Sequence, residues 1–268
     1  MVRYFKYSPA GYYKAIKTKI NDAIKDDLIL LMVREKRRWM PRIGTKKLYK
    51  LLQADLAKLQ GPSIGRDKLF DILRRHGLLV KRRRKYGRTT DSYHYFRKYK
   101  NKLKEVSLEK PNQVYVSDIT YIRVGTKFMY LFLVTDAYSR VIVGWHLSAS
   151  LGIEGAIAAL KMALKGCPNP KGIIHHSDRG IQYCCKDYTA LLVKNAMQIS
   201  MTEENHCYEN SLAERVNGIL KDEFLLDDVF KNDRIAQKAV EEAIYIYNTM
   251  RPHWSLNLLT PLQMHHAA

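Results

Sequence analysis

The chain has 268 residues, 46% of them hydrophobic, which is enough apolar material for a sizeable core, and a mean hydropathy of −0.34 that suits a soluble protein. Apolar runs such as LILLMV (28–33) fall far short of the ~18 residues of a membrane span, and MVRYFKYSPAGYYK has no continuous apolar stretch of the kind a secretion signal needs. The net charge of +20 is confined to one part: residues 1–105 carry 30 Lys/Arg and 9 Asp/Glu, residues 106–268 carry 16 and 17. A segment so basic is built to meet a polyanion, and nucleic acid comes first because Lys/Arg contacts to phosphate dominate such affinity. Membrane lipid is the weaker candidate, since no basic amphipathic helix with a clean apolar face is evident there. Four cysteines (Cys167, Cys184, Cys185, Cys207) form no CxxC pair, so a reduced, intracellular chain is expected rather than a disulfide framework.

In chain order, residues 10–37 read as helix. GTKKLYKLLQADL (44–56) has Leu48, Leu51, Leu52 and Leu56 at helical spacing, and RDKLFDILRRHG (66–77) repeats the pattern with Leu69, Phe70, Ile72 and Leu73. Ser63 suits an N-cap and Gly77 a C-terminal stop. Two short amphipathic helices joined by a polar turn suggest a helix-turn-helix over 39–80. A plain helical hairpin has the same pattern, but the basic surroundings (Lys46, Lys47, Arg66, Lys68, Arg74, Arg75) favour DNA contact. The stretch 81–108 opens with Lys81, Arg82, Arg83 and Arg84, mixes in tyrosines and lacks periodicity. It reads as a basic linker, or an arm lying along phosphates.

Composition changes near Pro111. Segments 114–124, 127–139 and 140–149 are rich in β-branched and aromatic residues, with Gly125-Thr126 and Ser139-Arg140 as tight connections, and read as three antiparallel strands. Then come a helix (153–166), a strand (172–178), a helix (186–197), a short strand (198–202) and helices at 210–226 and 232–250. This order implies an α/β fold with a mixed five-stranded sheet flanked by helices.

Candidate chemistry lies in three acids. Asp118 sits inside a β-branched strand, sharing a face with Val116 and Thr120, where a lone acid is costly unless paired or bound to a cation. Asp178 closes the fourth strand, at the kind of strand end that lines functional crevices. On the helix from Asn210, the face Asn210, Glu214, Asn217 and Lys221 is polar. Such a stripe could simply meet solvent; beside two further acids it reads as a third contribution. Three carboxylates from separate elements suit Mg²⁺, and two such ions could serve phosphoryl transfer. His175 and His176 would point to opposite faces of a strand and do not suit zinc. Asp136 could sit beside Asp118 or cap a turn. Glu203, Glu204 and Glu209 read as loop charges.

The spacing of 35 residues between Asp178 and Glu214, with Lys221 seven beyond, resembles the DD(35)E pattern of retroviral integrases and their bacterial relatives. NQVYVSDITYI, HHSDRGIQY, YENSLAERVNGILKDE and YNTMRPHWSLNLLTPLQ resemble, in order, the signature blocks of transposases of the insertion-sequence-three family, in particular their second reading frame. Departures are small: Tyr115 stands where the family often has Trp, and Glu209 where it often has Asp. The resemblance implies an RNase H-like core over 109–250, a preceding helix-turn-helix, and a tail (251–268) packing on the core. It implies Asp118, Asp178 and Glu214 as the catalytic, metal-holding residues, with two Mg²⁺ ions for which Mn²⁺ could substitute. Lys221, Arg179 and Asn210 would lie near DNA, while Arg251 and His253 would be structural. Implied partners are double-stranded DNA (the element's terminal inverted repeats and the target), further copies of the chain, and the element's first-reading-frame protein. Action would be in the bacterial cytoplasm, on the nucleoid. Two rivals remain: a structure-selective nuclease of the same fold, and a domesticated DNA-binding protein that has lost the reaction.

Overall fold

A computed structural model describes residues 8–59, 63–81, 96–103, 106–203 and 210–267. The chain divides into two compact units, Met1–Arg82 and Arg83–Ala268.

Among its described residues the first unit is all-helical: α1 (Pro9–Trp39), α2 (Thr45–Leu56) and α3 (Arg66–Arg75). Its core joins Ile29, Leu30 and Val33 of α1 with Leu48, Leu52 and Leu56 of α2 and Leu69, Ile72 and Leu73 of α3. The α2 and α3 members are among the periodic positions expected from the sequence, while Leu51 and Phe70, also expected, are half-buried. Gly77 takes a φ of 65° just past α3. Its N–H donates to the Arg74 carbonyl and that of Leu78 to the Leu73 carbonyl, which satisfies two otherwise orphaned helix-end acceptors. The expected cap at Ser63 is not formed: Gly65 is the N-cap residue of α3 and supplies no side-chain bond.

The second unit contains β1 (Val114–Val124), β2 (Lys127–Asp136), β3 (Ile142–Ser148), α4 (Ile153–Lys165), β4 (Ile174–Ser177), α5 (Ile181–Cys184), α6 (Lys186–Lys194), β5 (Gln198–Met201), α7 (Ser211–Glu223), α8 (Asp233–Thr249), a 3-10 turn (Trp254–Leu256) and α9 (Pro261–His266). The sheet order is β3-β2-β1-β4-β5. β1, β2 and β3 form an antiparallel meander, while β4 joins β1 and β5 joins β4 in parallel. The strands expected at 127–139 and 140–149 stop and start earlier and later because the buried Asp136 ends β2. Its carboxylate accepts from the Ser139 N–H and hydroxyl, both at 2.7 Å, and closes the turn. The fourth strand ends at Ser177, so Asp178 lies one residue beyond it.

Alternation along β1 serves both faces of the sheet. Tyr115 packs with Phe132, Leu160 of α4 and Tyr188 of α6. Val114 and Val116 pack with Ala137 and Ala213 of α7. Helix α8 packs on α7, β1 and β3, and its far end is fixed by the buried Arg251, whose guanidinium donates to both Glu223 carboxylate oxygens at 2.8 Å. His253 is also buried, edge-on to Tyr247 at 5.1 Å between ring centroids. Both residues therefore have the structural role expected of them.

Gly144 on β3 lets α4 approach the sheet: a Cβ there would lie 2.1 Å from the Ala159 carbonyl oxygen. Gly144→Ala is expected to destabilise the fold by about 1–3 kcal/mol through overpacking. Gly218→Ala, which meets open space inside α7, is expected to stabilise it by about 0.5–1 kcal/mol. Urea denaturation of both variants checks the contrast.

Candidate active site

The site grows from one register. Ser117 of β1 pairs with Ser177 of the parallel strand β4, so the residues that follow them, Asp118 and Asp178, adjoin. Asp118 pairs with Leu133 on its other side. Helix α7 is fixed against this part of β1 by two amides. Asn210 Nδ2 donates to the Ser117 carbonyl at 3.2 Å, and Asn217 Nδ2 donates to Asp118 Oδ2 at 2.8 Å. Glu214 stands on the same helical face, one turn into the helix, between the two asparagines. Each aspartate is held by a nearby amide: Asp118 Oδ1 accepts from the Ile119 N–H at 2.9 Å, and Asp178 Oδ1 from the Gly180 N–H at 3.0 Å.

These carboxylates act on one another. The Asp118 carboxyl is pushed up to about 7, first by burial and then by the charge of Asp178, with a smaller contribution from Glu214. The bonds from Ile119 and Asn217 oppose the shift without cancelling it. Half-buried Lys221, at the far end of the same face, feels burial first, which lowers its ammonium below the usual lysine value. The negative charges of Asp227 and Asp118 push it back up, and Arg123 pulls it down. Lys221 therefore lies within the field of the acids.

Other expected site residues separate into groups. Half-buried Arg179 directly follows Asp178. Asn210 is only 3% exposed and its side-chain N–H donates to β1, which docks the start of the helix. In the helical unit Lys46, Arg66, Lys68, Arg74, Arg75 and Lys81 are exposed and Lys47 is half-buried. Three of its arginines already hold acids: Arg66 with Asp67 at 2.8 Å, Arg74 with Asp71 at 2.5 Å, and Arg75 with the buried Asp26 at 2.7 Å. The last ties α3 to α1. Arg82, Arg83 and Arg84, with Glu204 and Glu209, lie outside the described residues. Glu203 accepts from the Asn101 N–H at 3.2 Å. Asp136 pairs in register with Tyr115, away from Asp118.

The two histidines do face opposite ways. His175 is fully enclosed, with Ser117 Oγ and Tyr188 Oη each 2.8 Å from its Nε2. Burial drops it to about 3, so it is a neutral core residue. His176 Nδ1 meets Ser200 Oγ at 2.9 Å. Asn217 is the residue whose role the sequence reading missed. Its place on the polar face was visible, but its partner was not, because that contact spans 99 positions in the chain.

Asp118, Asp178 and Glu214 offer hard carboxylate oxygens, and the amide oxygens of Asn210 and Asn217 are buried with no hydrogen-bond partner among the described residues. Crowded carboxylates plus unmatched oxygen acceptors fit a hard, hydrated cation such as Mg²⁺. Among the described residues, no three His, Cys, Asp or Glu side chains are already gathered into a metal cage.

The mixed five-stranded sheet with its flanking helices defines an integrase-type core. Residues 109–207 and 195–261 match two integrase core domain families. A 31 kDa protein of insertion element IS600 from Shigella sonnei is 33% identical over 265 residues, covering 97% of this chain and 96% of its own. Transposase InsF of insertion sequence IS3A from Escherichia coli K12 is 35% identical over 193 residues, covering 71% of this chain and 67% of its own. The fold is also similar to that of a simian T-cell lymphotropic virus intasome chain, with a TM-score of 0.53, 18% identity, and coverage of 84% and 75%. The chain belongs to the insertion-sequence-three family of DDE transposases, and its function is that of a DNA transposase.

Because the Asp118 carboxyl is pushed up to about 7 in the folded protein and returns to its ordinary value when unfolded, this one group favours the fold at low pH. That stability is lost as pH rises from the ordinary aspartate range through about 7. Asp118→Asn removes the penalty, and the new amide can donate to the unmatched Asn217 oxygen. In metal-free buffer the variant is expected to melt higher than wild type at pH 7.5, with the gap closing at pH 4.5. Calorimetry at the two pH values checks this.

Proposed function

We propose that Asp118, Asp178 and Glu214 form the catalytic triad and hold Mg²⁺ as a pair of ions, with Mn²⁺ able to substitute. The observation that supports this most is the Ser117–Ser177 register with α7 stapled across it, which brings three acids from three elements into one electrostatic unit. When bound, the metal supplies Lewis-acid polarisation of the phosphodiester and an oxygen nucleophile usable at neutral pH.

The protein's own part is placement. β1 and the end of β4 fix two carboxylates on rigid backbone, and α7 brings the third. Asn217 holds the Asp118 carboxylate in one orientation, a role that outer-shell partners of metal ligands commonly fill. Lys221 and Arg179 flank the acids and would engage phosphates near the scissile bond. In the first step a water oxygen attacks phosphorus at an element end, and the bond to the 3′-oxygen breaks, leaving a 3′-hydroxyl. In the second, that hydroxyl oxygen attacks a phosphodiester of the other strand or the target, and the new bond replaces the one broken. No covalent link between protein and DNA is required.

The exposed lysines and arginines of residues 39–80, with the basic stretch 81–108, would bind the element ends and target duplex. Arg66, Arg74 and Arg75 would contribute through exchange of their acid partners. Joining two ends requires more than one copy of the chain on DNA, and the element's first-reading-frame protein is the expected further partner. No described helix is long and apolar enough to cross a membrane, and DNA of the bacterial cytoplasm is the proposed place of action.

The test is a labelled element-end duplex incubated with protein and Mg²⁺, resolved on a denaturing gel. Wild type should give cleaved and joined strands. Asp118→Asn, Asp178→Asn and Glu214→Gln should each lose both products. Cleavage without joining would indicate a nuclease, and products that persist in Glu214→Gln would remove Glu214 from the triad. Asn217→Ala is expected to slow the reaction about 10–100-fold, the usual effect of losing an outer-shell partner, without abolishing it. Single-turnover kinetics measures the difference.

A further inference from the structure

Helix α1 has two apolar faces. One buries Ile29, Leu30 and Val33 in the helical unit. On the opposite side Tyr13, Ile16, Ile20, Ile24, Leu28 and Leu31 form a stripe, each between 36% and 69% exposed. At about 100° per residue the six fall within an arc of roughly 120°. Residues 8–24 are exposed throughout, so the first half of the helix packs on nothing among the described residues. A helix in water gains most of its stability from packing an apolar face, so this half is built for a partner.

The pattern of the stripe says which partner. Its spacings are three, four, four, four and three, a sequence that reads the same in both directions about residue 22. An isologous contact requires this: where residue i meets j, j must meet i. Laid antiparallel on a second copy, Tyr13 comes level with Leu31, Ile16 with Leu28 and Ile20 with Ile24. The same register sets Lys17 level with Asp27, of opposite charge, at both ends. Lys19 and Lys25, which would also come level, lie off the stripe. A stripe made for an unrelated protein or a lipid surface has no reason to be symmetric in both spacing and charge.

We infer that α1 is a self-association helix, pairing antiparallel with α1 of a second copy of this chain. The pairing needs neither DNA nor metal, so its test is independent of the catalytic reading. The full chain is expected to sediment as a dimer at micromolar concentration in the absence of DNA. The double substitution Ile20→Glu and Ile24→Glu, at solvent-exposed positions, is expected to raise the dimer dissociation constant at least about tenfold, with far-UV circular dichroism confirming that the rest of the fold persists. Lys17→Asp alone should weaken the dimer by setting two acids level at each end, and Lys17→Asp with Asp27→Lys should restore it. A monomeric wild type, or a dimer indifferent to the glutamates, overturns the inference. Failure of the double charge swap to recover what the single one lost overturns the antiparallel register.

Discussion

The parallel pairing of β1 with β4, in the register that sets Ser117 against Ser177, is the constraint on which the site depends. It places two carboxylates side by side at a point where neither is fully hydrated. A slip of one residue would turn Asp118 to the other face, among Tyr115, Phe132 and Tyr188. Buried contacts beneath the site hold the register. Ser117 Oγ and Tyr188 Oη both bond His175, tying β1, β4 and α6 together on the face away from the acids.

Helix α7 is held at both ends for a related reason. Its first turns meet β1 through Asn210 and Asn217, and its last through Glu223 and the buried guanidinium of Arg251. Amides suit the inner end because they grip a carboxylate or carbonyl without adding charge. A lysine in place of Asn217 would neutralise Asp118 and compete with a cation for it. At the outer end, a two-pronged ion pair fixes direction as well as distance. Breaking a pair so buried leaves an uncompensated charge, typically a loss of about 3–5 kcal/mol. The site therefore keeps its acids in mutual repulsion while the frame around them is held in place.

Much of this was legible in the sequence. Order and kind of the main strands and helices followed from the change of period between residues 113 and 250, and the three acids from their placement in or beside regular elements. Boundaries were less legible where a side chain ended an element. Asp136 stops β2 by capping its own turn, which no periodicity reports, and the expected strand through 139 was too long. The short helices α5 and α9 span 4 and 6 residues, too few to show a 3.6-residue period. Asn210 and Asn217 were legible as part of a polar face beside the acids, but not as the groups that grip β1, because a one-dimensional pattern does not give an amide's partner. The second apolar face of α1 was hidden differently. Apolar residues on opposite sides of one helix cancel in any measure of one-sidedness, so the helix read as featureless.

The proposed function stands or falls on whether Asp118, Asp178 and Glu214 share a hard cation. Anomalous diffraction from crystals of the full chain soaked in Mn²⁺ tests it most directly. The expected result is a peak within coordination distance of oxygens from all three side chains, lost in a Glu214→Gln crystal or displaced toward the two aspartates. A peak on His176 or on surface acids, with none between Asp118 and Asp178, would contradict it.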